Sequence, residues 1–278
     1  MTTPEAPVGR LLVCPTPIGN LGDVTLRVLE ELRRVELIAC EDTRHTRTLL
    51  DRHGIEPGSR LISLHEHNEA ARARELAERI GAGAHVALVS DAGTPLVSDP
   101  GYELVQSCLR EGLPVEVLPG PSAPVTALVA SGLPAARWCF VGFLPRKRGE
   151  LEALLAAPAA TLVAFESPRR LGTTLSLLAS LDAERPVAVC RELTKLHEEV
   201  ARGSASELAA RYAGEAPRGE VVVVVGAAGS GPDRRAALAA LHDLLDAGAR
   251  PRAAASAVAK LTGVPANDLY RELTRADG

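Results

Sequence analysis

Short apolar runs alternate with longer amphipathic stretches along most of this chain, and that alternation restricts the fold more than any other feature. The first series of runs covers residues 11–14, 36–40, 61–64, 86–90 and 115–118. Between them, residues 24–34, 44–53, 68–80 and 102–111 carry apolar side chains at helical spacing. Strand–helix alternation of this kind predicts a mostly parallel sheet covered by helices.

A second series begins near Pro119. Its strands are expected at 138–143, 162–166, 187–191 and 221–225, with a further one within 196–203. Residues 151–156, 169–181 and 206–212 have helical patterning between them. The Pro/Gly cluster at 119–122 interrupts the pattern and marks a domain boundary. The expectation is an α/β domain over 1–118, a second over 119–229, and a linker with a small helical tail over 230–278. The Gly/Ser-rich stretch 226–233 serves as that linker. From 234 onward seven Arg and Lys stand against five Asp and Glu, and the segment is too short for a robust core of its own.

In open α/β sheets, ligands bind beyond the carboxyl ends of the strands. Three loops in such places are rich in glycine and proline: residues 14–23 after the first strand, 90–101 after the fourth and 118–123 after the fifth. Glycine permits close approach of backbone to ligand and proline stiffens the loop. Any one of them is most simply a turn; three at one sheet edge point to a cleft. Neither GxGxxG nor GxxxxGK[ST] occurs, which argues against a dinucleotide or nucleotide-phosphate site, and GxSxG and HExxH are also missing.

Composition excludes a few classes. A formal charge of −4 gives no global attraction to nucleic acid, so RNA binding would need local cationic patches. The five cysteines, Cys14, Cys40, Cys108, Cys139 and Cys190, form no CxxC pair; they are expected to be buried, reduced and typical of a cytoplasmic protein. The first residues do not pattern as a signal peptide, and no run has the length of a membrane span.

The segments PTPIGNLGDVTLR, ACEDTRHTRTLL, SLHEHNE, VSDAGTPLVSDPG, LPGPSA and FVGFLPRKRGE together resemble the ribosomal RNA small-subunit methyltransferase I family. The resemblance runs from about Leu11 to Val225. It implies the tetrapyrrole-methylase fold, two α/β domains with S-adenosyl-L-methionine in the cleft between them, and a homodimer. It implies 2′-O-methylation of a decoding-centre cytidine, cytidine 1402, of small-subunit RNA. Donor contacts are then expected from Pro17, Ile18 and Gly19, from Asp91, Ala92, Gly93 and Leu96, from Ser122 and Ala123, and from Phe165, Glu166 and Leu193. One departure stands out: tetrapyrrole-making relatives carry a Gly-Pro-Gly-Asp type first loop, where this chain has Pro-Ile-Gly-Asn.

A ribose hydroxyl is a poor nucleophile at neutral pH and needs help losing its proton. The densest polar group, residues 40–46, offers Glu41, Asp42 and His45 as acceptors, with Asp42 the first choice, and Glu166 adds a candidate from the second domain. Asp42 or Thr43 could equally cap the following helix. Lys195 is either a site residue or an ordinary surface cation. Residues 65–69 hold two histidines, too few ligands for a metal, and none is expected. Arg44, Arg146, Lys147, Arg148, Arg169 and Arg170 are the expected contacts to RNA phosphates. Thr262–Pro265 could be the turn of a helix-turn-helix, which would bring Arg271 and Arg275 to RNA. The rival readings are a methyltransferase acting on a tetrapyrrole or a protein, and a non-catalytic RNA-binding module.

Overall fold

In a computed structural model of the chain, residues 9–156, 159–228 and 234–276 are described below. Five strands, β1 (Leu11–Val13), β2 (Leu37–Cys40), β3 (Leu61–Ser63), β4 (Val86–Val89) and β5 (Val115–Val117), form one sheet in the order β3-β2-β4-β1-β5. Every pairing in it is parallel. The helices between its strands are α1 (Leu26–Arg34), α2 (Thr43–Arg52), α3 (Glu69–Gly81) and α4 (Tyr102–Arg110).

Successive strand side chains point to opposite faces, so the short apolar runs feed two cores at once. Leu12, Ile38, Cys40, Ala87 and Val89 pack with α1 and α2 on one face. Leu11, Val13, Ala39, Val86 and Leu88 pack with α3 and α4 on the other.

After β5 the chain enters α5 (Ala123–Ser131) and then β6 (Trp138–Phe143), α6 (Arg148–Ala156), β7 (Thr161–Glu166), α7 (Pro168–Leu181), β8 (Pro186–Arg191), β9 (Glu199–Ser204), α8 (Ala205–Arg211) and β10 (Val221–Val225). The second sheet has the order β6-β7-β10-β8-β9. Only the β6–β7 pair is parallel; β10 runs antiparallel to β7 and β8, and β9 antiparallel to β8. Parallel strands need long crossovers, and the short connection between β8 and β9 supplies hairpin geometry instead. The all-valine β10 is buried on both faces at the centre.

Helix α5 was not legible in the sequence. Its segment APVTALVAS is apolar all round and carries no helical stripe. It is nonetheless the element that covers the face of β10 and β8 turned toward the first domain, through Ala127 and Leu128. Helices α6, α7 and α8 cover the opposite face.

The tail forms α9 (Arg234–Asp246), α10 (Pro251–Thr262) and α11 (Ala266–Ala276) around a small core of Ala237, Leu241, Ala254, Ala255, Val258, Val264 and Leu269. A left-handed Gly263 closes α10, so the turn expected at 262–265 is present. The linker residues 229–233 and the Arg275 side chain lie outside what is described. Four cysteines are buried as expected, but Cys139 is exposed because β6 is an uncovered edge strand. Among the described residues no helix is long and apolar enough to cross a membrane.

Helices α7 and α8 approach closely at Gly172, where an added Cβ would lie 2.4 Å from the Tyr212 carbonyl oxygen. Gly172→Ala is therefore expected to destabilise the protein by ~1–3 kcal/mol in chemical denaturation. Gly149→Ala, with no atom within 4 Å of its added Cβ, should be neutral or slightly stabilising.

Candidate active site

The three Gly/Pro loops at the carboxyl edge of the first sheet are stitched to one another. Thr16 and Gly93 exchange both backbone hydrogen bonds, at 2.8 and 3.0 Å. The Thr16 hydroxyl donates to the Ser90 carbonyl, the Ser90 hydroxyl to the Gly93 carbonyl, and the Thr94 hydroxyl to the Pro121 carbonyl. Gly120 packs so closely on Pro15 that a Cβ would come within 2.6 Å of it.

The first loop also crosses to the second domain. Ile18 is 7% exposed and joins the core made by Ala127, Leu128, Val163, Ala188 and Val222. Gly19 fits against Leu193, Thr194 and Lys195 with no room for a side chain, and Asn20 N donates to the Thr194 hydroxyl at 3.0 Å. The four non-glycine residues with positive φ, among those described, are Leu96, Ser98, Glu192 and Thr194. They lie in the two loops that flank the resulting cleft, one from each domain. Backbone of that kind costs free energy and persists only where the surroundings over-determine it.

The cleft has two lobes that share Ile18, Ala92 and Glu220. One, about 300 Å³, is walled by Phe143, Phe165, Val97, Leu193 and Val222, with Asp99, Ser98 and Ser167 at its polar side. Phe165 packs on both Phe140 and Phe143, with centroids 5.0 and 5.3 Å apart. The other, about 260 Å³, is polar: Thr16, His45, Thr46, Thr48, Ser90, Asp91 and Lys195 line it beside Pro17 and Gly19.

Of the residues expected at the donor site, Ile18, Ala92, Ala123, Phe165, Glu166 and Leu193 line the apolar lobe and Pro17, Gly19 and Asp91 the polar one. Gly93, Leu96 and Ser122 line neither. Gly93 spends its backbone on Thr16, and Leu96 packs into the core above β1 and β4.

The acids divide sharply. The Glu166 carboxylate, expected as a proton acceptor, is fully buried and saturated by Ser167 N, the Thr174 hydroxyl and the Arg170 guanidinium. It is a structural brace. Asp42, the first choice from sequence, is the N-cap of α2: it accepts from Arg44 N and chelates the Arg44 guanidinium. Those bonds hold its carboxyl well below the usual carboxylate range, so it is a poor proton acceptor. Glu41 is pushed upward, by burial first and then by Asp91 and Asp42, but lines neither lobe.

His45 keeps its place. Asp91 Oδ2 lies 3.0 Å from His45 Nδ1, while its other oxygen accepts from Asp42 N. This carboxylate orients the ring of a histidine that lines the polar lobe. Lys195 is no lone surface cation: its ammonium donates to Glu192 and Glu220, each at 2.9 Å.

Asp99 is the residue that sequence reading passed over. It lies within the segment VSDAGTPLVSDPG, where nothing in the sequence separates it from the other loop residues. Burial in the apolar lobe, followed by repulsion from Glu41, pushes its carboxyl up to about 7, against the adjacent Ser90 hydroxyl, which lowers it.

Among the RNA candidates, Arg146, Lys147, Arg148 and Arg169 are exposed, with Lys147 paired to Glu150. Arg44 is 87% exposed at its side chain. Arg170 is a correction: its guanidinium donates to the Leu144 and Pro145 carbonyls and pairs with Glu166, which pins the turn after β6. Among the described residues no cluster of His, Cys, Asp or Glu could hold a metal ion.

The family model of the tetrapyrrole (corrin/porphyrin) methylases matches residues 10–209. A ribosomal RNA small subunit methyltransferase I from Mesorhizobium japonicum is 49% identical over 95% of this chain and 90% of its own length. The protein of that name from Thermotoga maritima is 44% identical over 78% of this chain and 98% of its own. The uroporphyrin-III C-methyltransferase of Thermus thermophilus, solved with S-adenyl homocysteine, shares the fold at a TM-score of 0.54 and 23% identity, over 78% of this chain and 96% of its own.

The raised Asp99 makes a signed prediction for stability. Between about pH 4, where an unfolded aspartate ionises, and about pH 7, the folded chain keeps a proton that the unfolded chain has lost. Stability contributed by this group therefore falls as pH rises through that window. In thermal melts of ligand-free protein, Asp99→Asn should match wild type near pH 4 and exceed its Tm at pH 8. A difference that does not grow with pH would contradict the assignment.

Proposed function

The chain belongs to the tetrapyrrole (corrin/porphyrin) methylases and, within them, to the ribosomal RNA small subunit methyltransferase I family, and on that footing we propose that it transfers a methyl group from S-adenosyl-L-methionine to the 2′-hydroxyl of cytidine 1402 in small-subunit RNA. The observation that carries the reading is the two-lobed cleft, one lobe apolar and aromatic, the other polar.

The apolar lobe suits the donor. Its size falls in the range of small-molecule sites, and the Phe143 and Phe165 rings beside Val97, Leu193 and Val222 offer a slot for a purine. S-adenosylmethionine supplies an electrophilic methyl group when bound. Ile18, Ala92, Ala123, Phe165 and Leu193 are the residues we assign to holding it, with Pro17 and Gly19 at the junction to the adjoining lobe.

The polar lobe suits the acceptor ribose. His45, oriented by Asp91, is our proton acceptor: an Nδ1–H bonded to the carboxylate leaves the Nε2 lone pair free for the hydroxyl proton. The stitched loops hold this pair rigidly next to the donor lobe, which is what in-line transfer requires. Arg44, Arg146, Lys147, Arg148 and Arg169 form the set we assign to RNA phosphates.

We assign the working form as a homodimer in the cytoplasm. The strand β6 is an unpaired edge with Trp138 and Phe143 exposed, and Val117, Val125 and Val129 are exposed on the elements just before it. Apolar edges of that kind demand a cover. Size-exclusion chromatography with light scattering should find a dimer, and Trp138→Asp should shift it toward monomer.

Labelled donor with small ribosomal subunits is the decisive test, since label must appear on the ribose of one cytidine. Changing Arg146, Lys147 and Arg148 to Ala together should weaken subunit binding and reduce the slope of log K against log salt by about 2–3. Donor affinity should be unchanged. An unaltered salt slope would reduce the triplet to a solvated face.

A further inference from the structure

Among the described residues, none of the side chains lining the apolar lobe is cationic, while three of them are acidic: Asp99, Glu166 and Glu220. Two of the three are already committed. Glu166 is saturated by Ser167, Thr174 and Arg170, and Glu220 accepts from Lys195. Asp99 lies beside the Ser90 hydroxyl, whose proton goes to the Gly93 carbonyl, and has no ion pair. It follows Ser98, whose φ of 70° turns the loop at the cleft wall, in the same short segment whose left-handed Leu96 is anchored in the core.

We propose that Asp99 is the counter-charge of the donor's sulfonium, protonated in the empty cleft and ionised when the cationic donor binds. The proposal rests on the assignment of this lobe to S-adenosylmethionine. The groups that act on Asp99 are Glu41 from the end of β2 and Asp91 and Ser90 from the end of β4, while Glu166 and Glu220 line the same lobe. His45 and Lys195 stand in the adjoining lobe. Half-buried and with no ion-pair partner of its own, Asp99 holds its proton up to a pH near 7. A positive charge entering the lobe favours the carboxylate and expels that proton.

The same logic runs backward at turnover. As the ribose oxygen gains the methyl carbon, the electron pair of the broken carbon–sulphur bond stays on sulphur, and the sulfonium charge disappears. The hydroxyl proton passes to His45, and Asp99 regains a proton from solvent. The lobe thereby loses its attraction for the neutral thioether product. Asp99 so discriminates donor from product by charge alone, two molecules that differ otherwise by one methyl group.

Calorimetric titration of the full chain tests this with S-adenosylmethionine and S-adenosylhomocysteine, at pH 6 and pH 7.5, in buffers of different ionisation enthalpy. A one-proton linkage centred near 7 tightens donor binding about eightfold between the two pH values, with a proton released at pH 6. Product binding should stay flat. Asp99→Asn should abolish the pH dependence and leave donor affinity near the wild-type value at pH 6.

Three results would overturn the proposal. Donor binding that is flat in wild type means Asp99 does not ionise. Product binding with the same pH dependence places Asp99 against the shared amino-acid end. A dependence that survives in Asp99→Asn assigns the titration to another group. If neither ligand binds at any pH, the lobe assignment itself fails, which is a different result from any of these.

Discussion

Ile18 is the residue on which the rest of the arrangement depends. It belongs by sequence to the first sheet's leading loop and by packing to the second sheet's core. Through it the two α/β units share apolar contacts, and burying a side chain of that size is worth ~1.5–3 kcal/mol. Gly19 and Asn20 then fix the approach: one removes the side chain that would hold Thr194 and Lys195 away, the other adds a hydrogen bond. The cleft is what remains between two bodies joined along one edge, so its lobes inherit their shape from this joint.

The joint also explains where backbone strain collects. Leu96 and Ser98 on one side and Glu192 and Thr194 on the other adopt left-handed φ, and Leu and Thr do so at a real cost. Each is held by neighbours that cannot move independently. Leu96 is packed in the first core, Thr194 accepts from Asn20, and Glu192 is bound to Lys195 and Glu220 N. Strain on both walls of one cleft, opposed by packing behind each wall, is the signature of a site held ready for its ligand.

Much of the fold was legible because continuous short apolar runs alternate cleanly with helical patterns in the first domain, both faces of every central strand being apolar. Helix α5 was hidden by the very property that makes it a core element, an apolar surface with no polar face. The antiparallel pairings of β8, β9 and β10 were hidden because buried strands read alike whichever way they run. At the site, the loops were legible from glycine and proline, but the roles of their charged residues were not. Asp42, Glu166 and Arg170 look like free functional groups in sequence, and only packing shows them spent on a cap, a brace and a turn. Asp99 was missed in the opposite way, since nothing in the sequence shows that it lines the apolar lobe without an ion pair.

Charge distribution links the cleft to its substrate. The acids that line the cleft are Asp91, Asp99, Glu166 and Glu220, and the exposed cations Arg44, Arg146, Lys147, Arg148 and Arg169 lie outside its walls. A polyanion is repelled by such a lining and held by such a rim, with exposed pairs screened beyond a Debye length of ~8–10 Å. The lobes therefore admit an uncharged ribose and base far more readily than their flanking phosphates. Chemistry on one nucleotide in that setting requires it to be turned out of the strand while its neighbours stay on the rim, as enzymes acting on single nucleotides in larger nucleic acids generally require. On the proposed assignment, a net negative protein handles RNA through separation of its charges, with acids at the donor lobe and cations where the phosphates pass.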